Sequence, residues 1–571
     1  MISNQKIANQ LEVIADSFKK ESSSYYKIKA YRQVSRLLRE MPISIAQLIH
    51  EGKDLTQLPG IGKGIARKIK EIIEKDTDSI KVPEIRISSM LMYELKQIPK
   101  LGKKRIYTLL KNYPIQSIEQ FKQLLSEDKV ASLPSFNEKL IGSIISWLNN
   151  NDIIPYQFYL FKAEPIVNRL IKYMQKNTKI KQLEIAGSYR LKKETINDIY
   201  VIVASDNPQS VIDYFLNYFE ITQVIHQESN QIIVTFWSGL EVHLIMTSVS
   251  SFNTALFHFT GSEQFIQSIQ ELAKDKGLEL NVRGIFKNKH ALEIKNEKDI
   301  FLHLNLPYLE PELRENDSAI KLTNCYKEIQ LITLEDLKGD LHSHTNNTDG
   351  RYSLEEMVAA AQKKGLSYLA ITDHSKRLTI ANGLDEKRLF AQIELIKSLN
   401  AHLKNFTILA GIEVDILEDG SLDFDNNILK ELDLTVCSIH SKFNLPEKVQ
   451  TERIIRAMDN PYFNILGHPT GRLINIRKPY KIDLERIFIA AKERHCFIEI
   501  NSQPARLDIN DIYARTAKDI GLKFSISSDA HNIKQLDLVR WGINQARRAG
   551  LEAKDVINTY GINEFKNVLK K

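Results

Sequence analysis

The densest set of reactive side chains begins at Asp340-Leu-His-Ser-His-Thr345 and runs toward the C-terminus. His342 and His344 stand two residues apart, so on an extended segment both imidazoles face the same way and can chelate one cation. Asp349 follows, then His374 in ITDHS, Glu413 in GIEVD, His440 in CSIHS, His468 in GHPTG, and Asp529 with His531 in SSDAH. Nine such residues at the ends of short apolar runs are hard to obtain by chance, whereas His50, His226, His290, His303, His402 and His495 read as packed or surface residues. Mixed imidazole and carboxylate donors suit Mn²⁺ or Zn²⁺ better than Mg²⁺. A cluster of such ions can activate water while neutralising a phosphate oxygen, which is hydrolysis without a protein nucleophile.

A second chemistry sits near the N-terminus, in Leu58-Pro-Gly-Ile-Gly-Lys-Gly-Ile-Ala-Arg-Lys-Ile69. Gly60 and Gly62 permit a tight hairpin and close approach of the backbone to a phosphate, and the helix that follows offers unpaired N–H groups. Lys63, Arg67 and Lys68 add positive charge, so the contact would ignore base sequence. Ile98-Pro-Lys-Leu-Gly-Lys-Lys-Arg105 keeps one glycine and gains cations; Leu133-Pro-Ser-Phe-Asn137 has lost both glycines and is expected to be structural.

Several elements must hold these residues. At 571 residues the chain exceeds what one core supports, so it should be multidomain. Residues 1–150 carry 25 Lys+Arg against 16 Asp+Glu, leaving 53 against 55 beyond, so the net charge of +7 is N-terminal in origin and favours a nucleic-acid partner there. No apolar stretch is long enough for a membrane span, nothing in MISNQKIANQLEVIADSF marks secretion, and a cytoplasmic location is expected. Cys325, Cys437 and Cys496 are too few and too scattered for a disulfide framework. Residues 1–150 show helical spacing, as in Ile7, Leu11, Ile14 and Phe18. From Leu183, strand-like LEIAGSY, DIYVIVA, QIIVTFW and LEVHLIM mix with helices, predicting an α+β domain. Beyond Leu337, YLAITD, FTILAGIEVD, LTVCSIH, FNILGH, CFIEIN and KFSISSDA alternate with helical runs, the pattern of a parallel α/β barrel. Reactive groups would gather at its C-terminal strand ends.

Tyr25-Tyr-Lys-Ile-Lys-Ala-Tyr-Arg32 followed by the glycine hairpin resembles the N-terminal lyase-type domain of family X DNA polymerases. By that resemblance Lys68 would be the amine that attacks an abasic sugar and Lys27 would contact a 5′-phosphate. Ile185-Ala-Gly-Ser-Tyr-Arg-Leu-Lys-Lys-Glu-Thr-Ile-Asn-Asp-Ile-Tyr-Val-Ile-Val203 looks like the family's nucleotidyltransferase signature, and Phe259-Thr-Gly-Ser262 like its thumb-side motif. Gly187, Ser188 and Arg190 would then bind a triphosphate, with Gly261 and Ser262 nearby. Two-metal phosphoryl transfer needs three carboxylates, two of them at i and i+2 on one strand. Here the pair reads Asp198 and Tyr200, and the third position matches His243 in Val-His-Leu. Neither phenol nor neutral imidazole replaces an anionic ligand of Mg²⁺, so Asp198 stands without partners and template-directed synthesis is expected to be severely impaired. Glu241 shares a strand face with His243 but is offset by about 7 Å along the strand.

The order H-x-H, D, H, E, H, H, D-x-H resembles the PHP (polymerase and histidinol phosphatase) family, with every position filled. The resemblance implies a TIM-like, seven-stranded barrel with three metal ions: His342, His344, Glu413 and Asp529 around one; Glu413, His440 and His468 around a second; Asp349, His374 and His531 around a third. Glu413 would bridge, with Glu413 and Asp529 the carboxylates on which turnover depends, and Arg472 would bind substrate phosphate. The expected architecture is a helix-hairpin-helix lyase-like DNA-binding domain (1–80), a fingers-like helical domain (81–150), a palm (151–250), a thumb (251–318), a linker (319–336) and a PHP phosphoesterase domain (337–571). The leading reading is a DNA repair protein that holds gapped or nicked DNA through its 5′-phosphate and degrades 3′ ends with Mn²⁺ or Zn²⁺. The alternatives are a gap-filling polymerase with PHP proofreading and a non-catalytic DNA-end-binding module; a small-molecule phosphatase would not need the basic hairpins.

Overall fold

A computed structural model describes residues 4–20, 25–40, 45–50, 55–57, 60–77, 89–113, 115, 117–151, 153, 156–236, 238–315 and 329–569. Leu58, Pro59, Cys325, most of the expected linker and the side chain of Lys27 lie outside the described residues. The chain divides into two compact units, Met1–Arg86 and Ile87–Lys571.

The first unit is helical, with Asn4–Lys20, Tyr25–Glu40, Ile45–His50 and Lys63–Thr77. Ile7 and Leu11 pack with Val34, Leu38, Ile65 and Ile69, the apolar faces that the helical spacing predicts. Arg39 ties the first two helices by an ion pair with Glu12 at 2.8 Å.

The second unit opens with four helices between Ser89 and Asn150. In the hairpin that lost its glycines, Ser135 takes the left-handed conformation (φ 68) and Asn137 caps Glu138–Asn150 by accepting from Leu140 N.

The palm is a five-stranded sheet in which Asp198–Ala204 lies between Gln182–Ala186 and Glu241–Thr247, followed by Gln231–Phe236 and Ile221–Gln227. Asp198–Ala204 and Glu241–Thr247 run parallel, setting Asp198 beside Glu241 and Tyr200 beside His243. The thumb region packs helices Phe252–Thr260, Glu263–Asp275 and Glu297–His303 around a core that includes Phe257, Phe265 and Phe301.

Seven parallel strands then pair in sequence order: Gly339–Asp340, Tyr368–Ile371, Thr407–Asp415, Leu434–Ser438, Ile465–Leu466, Phe497–Asn501 and Phe524–Ser527. Their near-continuous Ile, Leu and Val runs are what strands buried on both faces require. The barrel nearly closes at its C-terminal rim, where His344 N donates to Ala530 O across the first and last strands.

The seam between palm and barrel is extensive. Trp541 and Leu507 of the barrel region belong to the palm's hydrophobic core. Arg472 holds Glu194 at 3.0 and 2.5 Å, Arg540 holds Glu164 at 3.0 and 2.6 Å, and Arg548 donates to Asp511 at 2.7 Å and to Leu191 O at 3.0 Å.

Candidate metal centre

Six of the seven barrel strands end at or beside an expected ligand. His342 and His344 follow the first strand, His374 the second, Glu413 lies in the third, His440 and His468 follow the fourth and fifth, and Asp529 follows the seventh. His468 and Asp529 sit in left-handed backbone (φ 26 and 50), a cost that non-glycine residues bear mainly where function fixes the geometry. All nine expected ligands meet on this rim.

Glu413 is the centre. Its Oε1 lies 2.9 Å from His468 Nε2 and 3.2 Å from His440 Nε2. Its Oε2 lies 2.9 Å from His374 Nδ1, 3.3 Å from His342 Nε2 and 3.6 Å from His344 Nε2. Asp529 Oδ1 is 3.2 Å from His344 Nε2 and 3.7 Å from His342 Nε2. Asp349 Oδ2 is 3.3 Å from His531 Nε2 and 3.6 Å from His374 Nε2. Three groupings have donor atoms close enough to share an ion: His342, His344 and Asp529; His374, Glu413 and His440; and His344, Asp349, His374 and His531. His374 thus turns one ring nitrogen to Glu413 and the other to Asp349, instead of facing only the third set. The inner ligands are buried, while Asp349 and His531 are about one-third exposed and open the site to solvent.

Electrostatics show why this arrangement suits cations. Burial opposes charge on His342, yet Glu499, Glu413 and Asp529 raise it well above its ordinary value. Burial opposes charge on His374 and His440, yet Glu413 together with Asp349 raises the first to about 10 and Glu413 together with Asp415 raises the second to about 9. His344, buried and facing His374 and His531, is held down to about 4. Glu413 and Asp529 fall well below the usual carboxylate range despite burial, Glu413 through His374, His440 and His342, and Asp529 chiefly through His342. The buried nitrogens His342 Nε2, His344 Nε2 and His374 Nδ1 have no hydrogen-bond partner. Lone pairs aimed at carboxylates repel unless a proton or a metal ion stands between them, so the donor set fits divalent cations.

Several supporting residues went unread in the sequence. Glu499, wholly buried, accepts from His342 Nδ1 at 2.7 Å and from His468 N at 2.7 Å. Asp415 accepts from His440 Nδ1 at 2.8 Å, and Asn501 donates to Asp529 at 3.0 Å. These partners fix the tautomers that leave Nε2 free. Alternation in FIEIN, which puts Glu499 and Asn501 on one strand face, was the available signal.

Arg190 and Arg472, expected to bind triphosphate and substrate phosphate, are already engaged. Besides Glu194, Arg472 meets Leu507 O at 2.5 Å, and it is 11% exposed. Arg190 makes a two-pronged contact with Glu297 at 2.9 and 2.5 Å, and Arg314 meets the same carboxylate at 2.7 Å. Arg506, by contrast, is one-quarter exposed and lies 3.9 Å from Asp529.

In the palm, Tyr200 stacks on His243 at 4.5 Å and on Phe259 at 5.6 Å. Gly187 (φ 68) leaves room for that ring, since a Cβ there would lie 2.8 Å from Tyr200 Cδ2. Glu241 is the lateral neighbour of Asp198 but is turned to His243 Nε2 at 2.7 Å. Burial raises Asp198, and Glu241 adds to this against the pull of His243. Among the described residues, no metal-holding group forms in the palm. Gly187, Ser188, Gly261 and Ser262 line a cleft of about 480 Å³, where Ser262 caps helix Glu263–Asp275 by accepting from Phe265 N.

In the hairpin, Gly60 adopts φ 81, Lys63 starts its helix, Lys63 and Arg67 are exposed, and Lys68 Nζ pairs with Glu71 at 2.8 Å. No helix among the described residues is long and apolar enough to cross a membrane.

Family models match a helix-hairpin-helix domain at residues 2–78, a SAM-like helix-hairpin-helix tandem at 92–150, a DNA polymerase beta thumb at 255–315 and a PHP domain at 340–503. A relative from Bacillus subtilis, "DNA polymerase/3′-5′ exonuclease PolX", is 34% identical over 99% of both chains. A "Probable phosphatase" from Thermoanaerobacter sp. (strain X514) is 32% identical over 41% of this chain and 94% of its own. A crystal structure of Leishmania infantum polymerase beta in a ternary P/T complex covers 40% of this chain and 99% of its own, at 19% identity and TM-score 0.27. With a full-length relative at that identity, the chain belongs to the PolX family, a family X polymerase framework joined to a C-terminal PHP domain.

Proposed function

We propose that this chain is a DNA repair protein whose barrel is a 3′-end phosphoesterase of the 3′–5′ exonuclease type, and whose palm no longer extends primers. The convergence of five imidazoles on the two oxygens of Glu413 is the observation that carries this reading. His342, His344, Asp349, His374, Glu413, His440, His468, Asp529 and His531 would hold Mn²⁺ or Zn²⁺, which when bound supply Lewis acidity toward a phosphate oxygen. Glu499 and Asp415 orient the imidazoles, and Arg506 offers the substrate phosphate a guanidinium that Arg472 cannot.

The hairpin around Gly60 and Gly62, with Lys63 and Arg67, would grip the 5′-phosphate side of a gap or nick, with Lys27 beside it. Lyase chemistry at Lys68 would first require its pair with Glu71 to break. In the palm, Asp198 has an aromatic stack where partner carboxylates would be needed. Purified protein given Mn²⁺ and labelled primer–template should shorten the primer from its 3′ end and show no dNTP-dependent extension. Robust extension would refute the palm reading, and no shortening with metal loaded would refute the nuclease reading.

A further inference from the structure

A small cavity of about 170 Å³ lies in the seam between palm and barrel, with no residue of the metal rim in its lining. Its walls include Tyr189 and Lys192 from the turn after Gly187-Ser188, and Arg540, Trp541 and Asn544 from the barrel helix Val539–Arg548. Four of these carry donors that make no hydrogen bond to another described residue and that still reach solvent: the Tyr189 hydroxyl, Lys192 ammonium, Trp541 indole N–H and Asn544 amide. The Lys192 ammonium has only the face of Tyr189, 5.2 Å from the ring centre.

Charge around the cavity does not balance. Glu164, itself in the cavity wall, pairs with Arg540, and Glu312 pairs with Arg547 at 2.7 Å, while Lys192 makes no ion pair among the described residues. Burial lowers its pKa, Arg540 and Arg547 add to that, and the two glutamates only partly offset it. Lys192 also sits in left-handed backbone (φ 57), a conformation that disfavours a long side chain. A half-buried ammonium with no carboxylate in direct contact, ringed by donors that water alone satisfies, is suited to an anion.

We propose that this seam cavity binds a phosphate group, free or as the terminal phosphate of a mononucleotide, held by Lys192, Tyr189, Trp541 and Asn544. Such a ligand touches palm and barrel together, so it strengthens the seam by mass action. The site does not depend on the metal centre or on any nuclease activity.

The test uses the full chain stripped of metal by chelator, at constant ionic strength, with calorimetry and thermal melting. Inorganic phosphate and a deoxynucleoside 5′-monophosphate are titrated separately, the two arms distinguishing free phosphate from a nucleotide. Saturable binding with a rise in Tm is expected for at least one of them. Lys192→Met should weaken that binding by about tenfold or more, the value of one charge-assisted hydrogen bond. Asn544→Asp should do the same by repulsion while leaving Lys192 in place, and it decides the matter if the lysine variant folds poorly. Absence of saturable binding, or wild-type affinity in both variants, overturns the proposal.

Discussion

Replacing Glu499 with Gln should weaken metal binding although Glu499 holds no metal itself. Its carboxylate is fully buried, with one oxygen taking His342 Nδ1–H and the other the His468 N–H, each at 2.7 Å. An amide has one acceptor where the carboxylate has two, and both of its orientations are unfavourable. With its NH₂ toward His342, the imidazole must accept at Nδ1, which moves its proton to Nε2, the atom facing Glu413 and Asp529. With its NH₂ toward His468, two donors face each other in a buried site, at a cost of about 1–3 kcal/mol. Partners of this kind are worth about 10–100-fold in metal affinity, and the two-ligand role of Glu499 puts the expected loss at the upper end. Competition with a chromophoric chelator measures Mn²⁺ and Zn²⁺ affinity directly, and 3′ degradation across a Mn²⁺ titration should show the same displacement of midpoint. Metal affinity within about twofold of wild type would refute the tautomer argument.

Glu413→Gln should abolish 3′ degradation and release metal, measured by elemental analysis, while gapped-DNA affinity stays unchanged, because one charge shared by five imidazoles is lost. Changing Lys63, Arg67 and Lys68 together to Ala should lower the slope of log affinity against log salt by up to about three; an unchanged slope would mean that the hairpin does not touch phosphate. Burial opposes ionisation of Glu297, yet Arg190 and Arg314 hold its carboxyl below the usual range. Its contribution is therefore complete above the unfolded value of about 4.3 and is lost as pH falls through the lower folded value, so acid melting should steepen below about pH 4. Glu297→Gln should remove that steepening and cost about 3–5 kcal/mol at neutral pH by leaving two arginines unpaired, read by denaturant unfolding.

The metal rim was legible because its ligands follow strand ends, and strand ends are visible as breaks in apolar runs. Six strands appeared in the sequence as β-rich segments, and in five of them the ligand needed only its chemical type to stand out. Arg190 and Arg472 were opaque for the opposite reason. Nothing local reveals that Arg472 meets a carboxylate 278 positions earlier, or that Arg190 meets one 107 positions later. Glu241 was read by its offset from His243, whereas the parallel register makes it the lateral neighbour of Asp198. Glu499 was hidden because a lone glutamate in an apolar strand carries no motif, although burying an acid is itself a signal.

The seam of Trp541 and Leu507 bears on modularity. The Thermoanaerobacter relative matches 41% of this chain over 94% of its own length, a span about the size of this barrel, so one would expect such a region to be excisable here. Yet two of its side chains belong to the palm's core, and several of its arginines find their acids in the preceding regions. A cut placed in the connecting segment would divide the polypeptide but not the packing, and only pulling the pieces apart would leave an indole, a leucine and a row of orphaned guanidinium groups facing water. The unit of inheritance and the unit of folding have parted company in this chain.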